Sequence, residues 1–217
     1  MNDNSPKPLY QKISTLTDWI IRVIVINIMM IFCSLGIITI YAALLAGFKM
    51  FSDYTNKNET KLFKGFFKYF VDELPKKLLL GTVFAGIIVL GYFNSKYYIA
   101  ELYANPNWFL WTGYIFTLGV ILLIALALVY SFPILIVNKE KNFLTLLKQA
   151  LYLAGKFFPR TLLIIIVWII PIAMWFDVVS IFIFIFVGLS IPVLLECLLT
   201  KKIMLYIEEL KNNEKEE

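Results

Sequence analysis

Apolar residues run almost unbroken through positions 19–48, 78–93, 108–137 and 161–199, and the charged residues collect in the gaps. A helix needs about 20 residues to cross roughly 30 Å of hydrocarbon, so these stretches read as membrane spans. The first and last are too long for one span each. In the last, Asp177 sits near the middle, where a carboxylate inside the bilayer is costly; a turn there divides the run into spans at 161–176 and 178–199. In the first, "CSLGIITIYAALLAGF" contains Gly36, which weakens a helix, and Ser34 and Thr39, whose hydroxyls offer a cap to a second helix. The pattern predicts an all-α polytopic membrane protein with six transmembrane helices in three hairpins, near 19–34, 38–53, 78–94, 108–137, 161–176 and 178–199. Five spans result if 19–48 is one helix. Each arm of the first hairpin holds only about 15–16 strongly apolar residues, so the second arm either spans through local thinning of the bilayer or re-enters, buried by its neighbours.

The gaps set the orientation. Lys57, Lys61, Lys64, Lys68, Lys76 and Lys77 fall between the second and third spans. Lys139, Lys141, Lys148, Lys156 and Arg160 fall between the fourth and fifth, and Lys201, Lys202, Lys211 and Lys215 in the tail. Residues 94–107 carry only Lys96, and the turn at Asp177 carries no lysine or arginine. Basic loops stay inside, so both large loops and the 200–217 tail are expected to be cytoplasmic. With six spans the 1–18 segment, bearing Lys7 and Lys12, joins them. The expected location is a bacterial plasma membrane.

Two of the basic gaps hold amphipathic segments. In "KLFKGFFKYFVDEL", Leu62, Phe63, Phe66, Phe67, Phe70, Val71 and Leu74 form one helical stripe, flanked by Lys61, Lys64 and Lys68. In "FLTLLKQALYLAGKFF", Phe143, Leu147, Leu151, Ala154 and Phe158 do the same. Such helices lie in the headgroup plane or dock on a partner. Phe63, Phe66, Phe67, Phe70, Lys64, Lys68, Leu147, Leu151 and Phe158 are therefore the candidate lipid or partner contacts. Both segments, and "YQKISTLTDWIIR" before the first span, lead through a basic residue into an outward-going helix, a loose threefold repeat.

Composition agrees. Apolar residues make up 60% of 217, too much to bury in a water-facing fold of this size, and mean hydropathy is +0.80. The +5 charge sits in the inter-span gaps, which argues for membrane orientation rather than nucleic-acid binding. Cys33 and Cys197 lie inside apolar runs and imply no disulfide framework. With no histidine, no intramembrane carboxylate pair and no activated thiol, neither catalysis nor a metal or organic cofactor is expected. "GTVFAG" lacks the Lys-Ser/Thr of a phosphate loop, and the "NET" triplet at Asn58 lies in the most basic loop, where it reads as chance.

Few polar side chains enter the spans. Arg22 and Glu196 each lie about one turn inside the cytoplasmic end, in the first and last spans, and form a candidate ion pair closing the bundle; separate snorkelling is the alternative. Asn27, deeper, suits an interhelical hydrogen bond. Ala42, Ala43, Ala46 and Gly47 permit close helix contact, and Pro133, Pro171 and Pro192 are expected to kink their helices.

The run "WIIRVIVINIMMIFCSLGIITIYAALLAGFKMF", followed by "LFKGFFKYFVDELPKK", resembles the YesL family of bacterial integral membrane proteins, a domain of unknown function. Trp19, Arg22, Asn27, Thr39, Ala42, Ala43 and the 63–70 region match the family's pattern, and "FLTLLKQALYLAGKFFPRTLL" fits its second half. Gly36 stands where the family often has proline, and Tyr41 departs from its Gly-Pro. The resemblance implies a protein of Gram-positive bacteria, encoded near carbohydrate ABC importers. The function it implies is a non-enzymatic accessory subunit that touches the lipid bilayer and the permease subunits of a sugar ABC transporter. An independent small-solute transporter or channel, and a purely lipid-facing structural protein, are the competing expectations.

Overall fold

A computed structural model describes residues 9–58, 60–138 and 142–216. Lys7, Lys139 and Lys141 lie outside the described residues, as do the side chains of Lys12 and Lys215. The described chain is helical throughout, without strands.

The first apolar run breaks where its glycine predicts. Helix α1 (Leu9–Ser34) ends, one 3-10 turn follows at Ile37–Thr39, and α2 (Ile40–Thr55) returns alongside it. Thr39 plays a different part from the expected one. Its hydroxyl lies against the carbonyls of Cys33 and Gly36, serving acceptors at the end of α1, while α2 has no side-chain cap. The hairpin is close-packed: a Cβ on Gly47 would overlap Met30, and the Trp19 and Tyr54 rings meet edge-on at 6.5 Å at its open end.

Helix α2 is the axis of the molecule. From Tyr41 to Tyr54 every residue but Lys49 is buried, enclosed by α1, α3 (Leu62–Val71), α4 (Leu74–Ala104), α5 (Trp108–Val137) and α9 (Ser190–Glu216). At 1.5 Å per residue α2 is only about 24 Å long. Because protein rather than lipid surrounds it, that shortfall carries little mismatch penalty. Tyr41, Phe48, Phe84 and Phe132 form an aromatic chain around it, with centroids 5.5–5.9 Å apart.

Helix α4 is longer than expected. It passes 94 and reaches Ala104, about 46 Å in all, because polar side chains beyond the apolar run face α5 instead of ending the helix. Asn94 donates to Thr117 Oγ1 at 3.0 Å, and the Tyr98 ring lies on Gly113. Asn107 then caps α5, accepting from Phe109 N at 3.2 Å.

Two of the three predicted entries share a construction. Helix α3 stops at Asp72, Glu73 takes a left-handed φ of 49°, and α4 begins with Pro75 in its first turn. Helix α6 (Phe143–Lys156) stops at Phe157, and α7 (Phe158–Ala173) begins with Pro159 in its first turn. A missing N–H is harmless there. The third entry differs, since α1 runs from Leu9 into the span without a break.

Asp177 marks a turn, as its charge requires. Its carboxylate accepts from Ser180 N at 2.9 Å and caps α8 (Val178–Ile183). A π-turn at Phe184–Gly188 and a bend of 52° lead into α9. Pro192 does not kink a helix interior: it occupies the first turn of α9. Among the described residues, five helices are long and apolar enough to cross a membrane, six if the bent α8–α9 pair is counted as one span. The molecule is a multi-pass helical membrane protein. Its lysine-bearing end gathers the start of α1, the end of α2, α3, α6 and the end of α9.

Candidate functional site

Asn27 explains the bend between α8 and α9. A continuous helix would bond Leu189 N to Ile185 O; here the Asn27 side chain of α1 is inserted between them. Its Nδ2 donates to Phe184 O at 3.0 Å and Ile185 O at 2.8 Å, and its Oδ1 accepts from Leu189 N and Ser190 N, both at 2.8 Å. An amide has the donors and acceptors of a peptide group, so one buried side chain satisfies two carbonyls and two N–H groups. Freed backbone groups in a broken membrane helix commonly hold substrate or ions. Here Asn27 occupies them.

Arg22 and Glu196 do not meet, and the reason is local chemistry. The Arg22 guanidinium lies 4.4 Å over the Tyr54 ring, at the edge of the bundle. Glu196 is wholly buried, and its Oε2 accepts from Trp168 Nε1 at 2.7 Å. Its Oε1 is buried without a hydrogen-bond partner. The other buried hydroxyls nearby are paired: Tyr41 with Ser131 at 2.7 Å, Tyr130 with Thr161 at 2.6 Å, and Thr200 donating to Glu196 O at 2.7 Å. Sequence reasoning missed Trp168, Tyr130 and Ser131. The available signal was position: a Trp or Tyr in mid-run, away from the interfacial belt, needs a polar partner inside.

At the lysine-bearing end the predicted contact residues separate. Phe66 faces inward with no exposure, and Phe70, half-buried, stacks on it at 6.5 Å. Phe66 therefore cannot dock on anything outside the chain. Phe63 (64% exposed), Phe67 (44%) and the neighbouring Lys64 and Lys68 face outward. On α6 the inward face is Leu146, Ala150, Leu153 and Ala154, so Leu147 and Leu151 are half-buried flanks rather than the centre of a stripe. Phe158 is exposed at the start of α7.

Below α3 a polar network ties the end of α2 to the start of α4. Lys49 Nζ lies 3.6 Å from Asp53 Oδ1, Tyr69 Oη donates to Asp53 Oδ2 at 2.5 Å, and Lys77 Nζ donates to Tyr69 O. Burial, then the Asp53 carboxylate, push the Tyr69 phenol up to about 12. The network borders a cavity of about 100 Å³ floored by Leu45, Leu80, Leu135 and Ile136. Among the described residues no three His, Cys, Asp or Glu side chains group in a way that would hold a metal ion.

Residues 23–95 match the family model described as "Protein of unknown function, DUF624". That segment holds Asn27, α2, α3 and most of α4; Trp168 and Glu196 lie beyond it. No curated protein and no solved structure matches the chain.

Proposed function

We propose that this protein is a non-enzymatic scaffold in the plasma membrane of a bacterium, with both termini cytoplasmic, and that it serves as an accessory subunit of a carbohydrate ABC importer. The observation that carries the reading is the anchoring of α3. Phe66 is locked into the bundle, so Phe63, Phe67, Lys64 and Lys68 are held as a fixed apolar and cationic face at the lysine-rich end. Such a face suits the headgroup region and a partner permease together. The finer assignment, to the YesL family and to sugar uptake, rests on Trp19, Arg22, Asn27, Thr39, Ala42 and Ala43 and on what that resemblance implies.

A carrier in its own right would use the freed groups at the α8–α9 bend; their capture by Asn27 favours the scaffold. The test is purification from native membranes in mild detergent with identification of bound proteins. Importer permease subunits are expected with the wild type and should be lost with Phe63→Ser/Phe67→Ser, while yield and elution volume stay unchanged. Isolation of the wild type as a lone species, or solute flux above background in liposomes, refutes it.

A further inference from the structure

The carboxyl of Glu196 has one neutral donor, the Trp168 indole, and one oxygen with nothing to bond. A buried carboxyl is accommodated beside a cation, on a metal ion, or as the neutral acid. Among the described residues, the helices packed around α9 bring no cation within ion-pair distance of Glu196. On α1, Arg22 lies over the Tyr54 ring; on α2, Lys49 lies 3.6 Å from Asp53; on α7, Arg160 lies over Phe157 at 5.7 Å with its Nη1 buried and unpaired, and does not bond Glu196. Tyr41 on α2 is bonded to Ser131 and Tyr130 on α5 to Thr161, and neither these nor Cys197 on α9 itself carries a positive charge. Lys201, exposed further along α9, reaches Thr55 O at 3.4 Å. A hard metal cation needs several oxygen ligands, and an indole N–H ligates nothing.

We propose that Glu196 is a proton-binding site in the membrane interior, held as the neutral acid, and that Trp168 conveys its occupancy to the half of the bundle beyond it, away from the lysines. With the proton on Oε1, Oε2 is the carbonyl oxygen that accepts from the indole. On release the proton leaves to water and both oxygens share the charge. The carboxylate then requires further donors. Trp168 is the donor already in place, and it lines an apolar cavity of about 200 Å³ between α5 and α7 and an open apolar groove of about 630 Å³ reaching α1, α2 and the π-turn. The charge that appears on the carboxylate tightens the indole hydrogen bond and changes the field across the ring. This inference is independent of the scaffold reading, since it concerns residues outside the α3 face.

The test is infrared difference spectroscopy of the full chain in lipid nanodiscs, with Trp emission followed in parallel. At pH 7 the wild type is expected to show a carboxylic-acid C=O band absent from Glu196→Gln. The band should vanish reversibly on raising the pH, equally with sodium or choline as the cation. A pH-dependent emission shift should accompany it and be lost in both Glu196→Gln and Trp168→Phe. Trp168→Phe should keep the C=O band at higher frequency, having lost its donor, and this variant carries the comparison if Glu196→Gln does not fold. Carboxylate bands alone at pH 7, suppression of the acid band by sodium, or an acid band unmoved in Trp168→Phe overturns the proposal.

Discussion

Replacing Asn27 by leucine removes four hydrogen bonds at once, two given to carbonyls and two accepted from N–H groups, from a site with no solvent exposure. Side-chain hydrogen bonds inside membrane bundles average about 0.6 kcal/mol, so the bonds alone come to about 2.4 kcal/mol. A buried group left unpaired raises this by about 1–3 kcal/mol. The bend can recover part by straightening, because Leu189 N would then reach Ile185 O as in an ordinary helix. The expected net loss is about 2–4 kcal/mol, together with a smaller angle between α8 and α9 than the present 52°. Asn27→Asp should lose more than Asn27→Leu. It keeps the acceptor for Leu189 and Ser190 but sets an oxygen against the carbonyls of Phe184 and Ile185. Thermal unfolding in detergent measures the stability, and distances between spin labels on α8 and α9 measure the angle. Stability within about 0.5 kcal/mol of wild type, with the bend unchanged, would refute the reasoning, since ordinary surface substitutions stay in that range.

Three further outcomes are expected. A Cβ on Gly81 would lie 2.7 Å from Tyr41 Cβ, so Gly81→Ala should cost about 1–3 kcal/mol in thermal unfolding, whereas Gly86→Ala meets nothing within 4 Å and should be neutral or stabilising. Exchanging the charges of Arg22 and Glu196 should not rescue the yield that either single reversal loses, as they share no contact; rescue in an expression assay would contradict the structure. The Tyr69 phenol is raised on folding to about 12, so its contribution is fully present below the ordinary tyrosine value near 10 and is lost as pH climbs through about 12. Unfolding followed across that window should show an alkaline step that Tyr69→Phe lacks.

What the sequence made legible is the placing of the breaks. Gly36 in an apolar run and Asp177 in another each mark a turn for a reason visible without coordinates: weak helix propensity in one, a charge that must leave the hydrocarbon in the other. The far end of α4 was hidden because polarity was read as the end of a helix, when Asn94 was turning to Thr117 across a hairpin. The inward face of α3 was hidden because phenylalanines occupy both sides of its stripe, and only contact with α2 tells Phe66 from Phe63. For Glu196, equal depth suggested an arginine as partner. Depth is a single coordinate, and rotation about the bundle axis brought tryptophan instead.

The enclosure of α2 bears on how the chain is made. Its wall is completed by α9, which follows α3 to α8 in the chain, so Ser52 and Asp53 wait without a full shield while those helices are synthesised. During that interval the first hairpin needs a protected berth beside the insertion machinery, and a chain halted before Ser190 is a natural target for quality-control proteolysis.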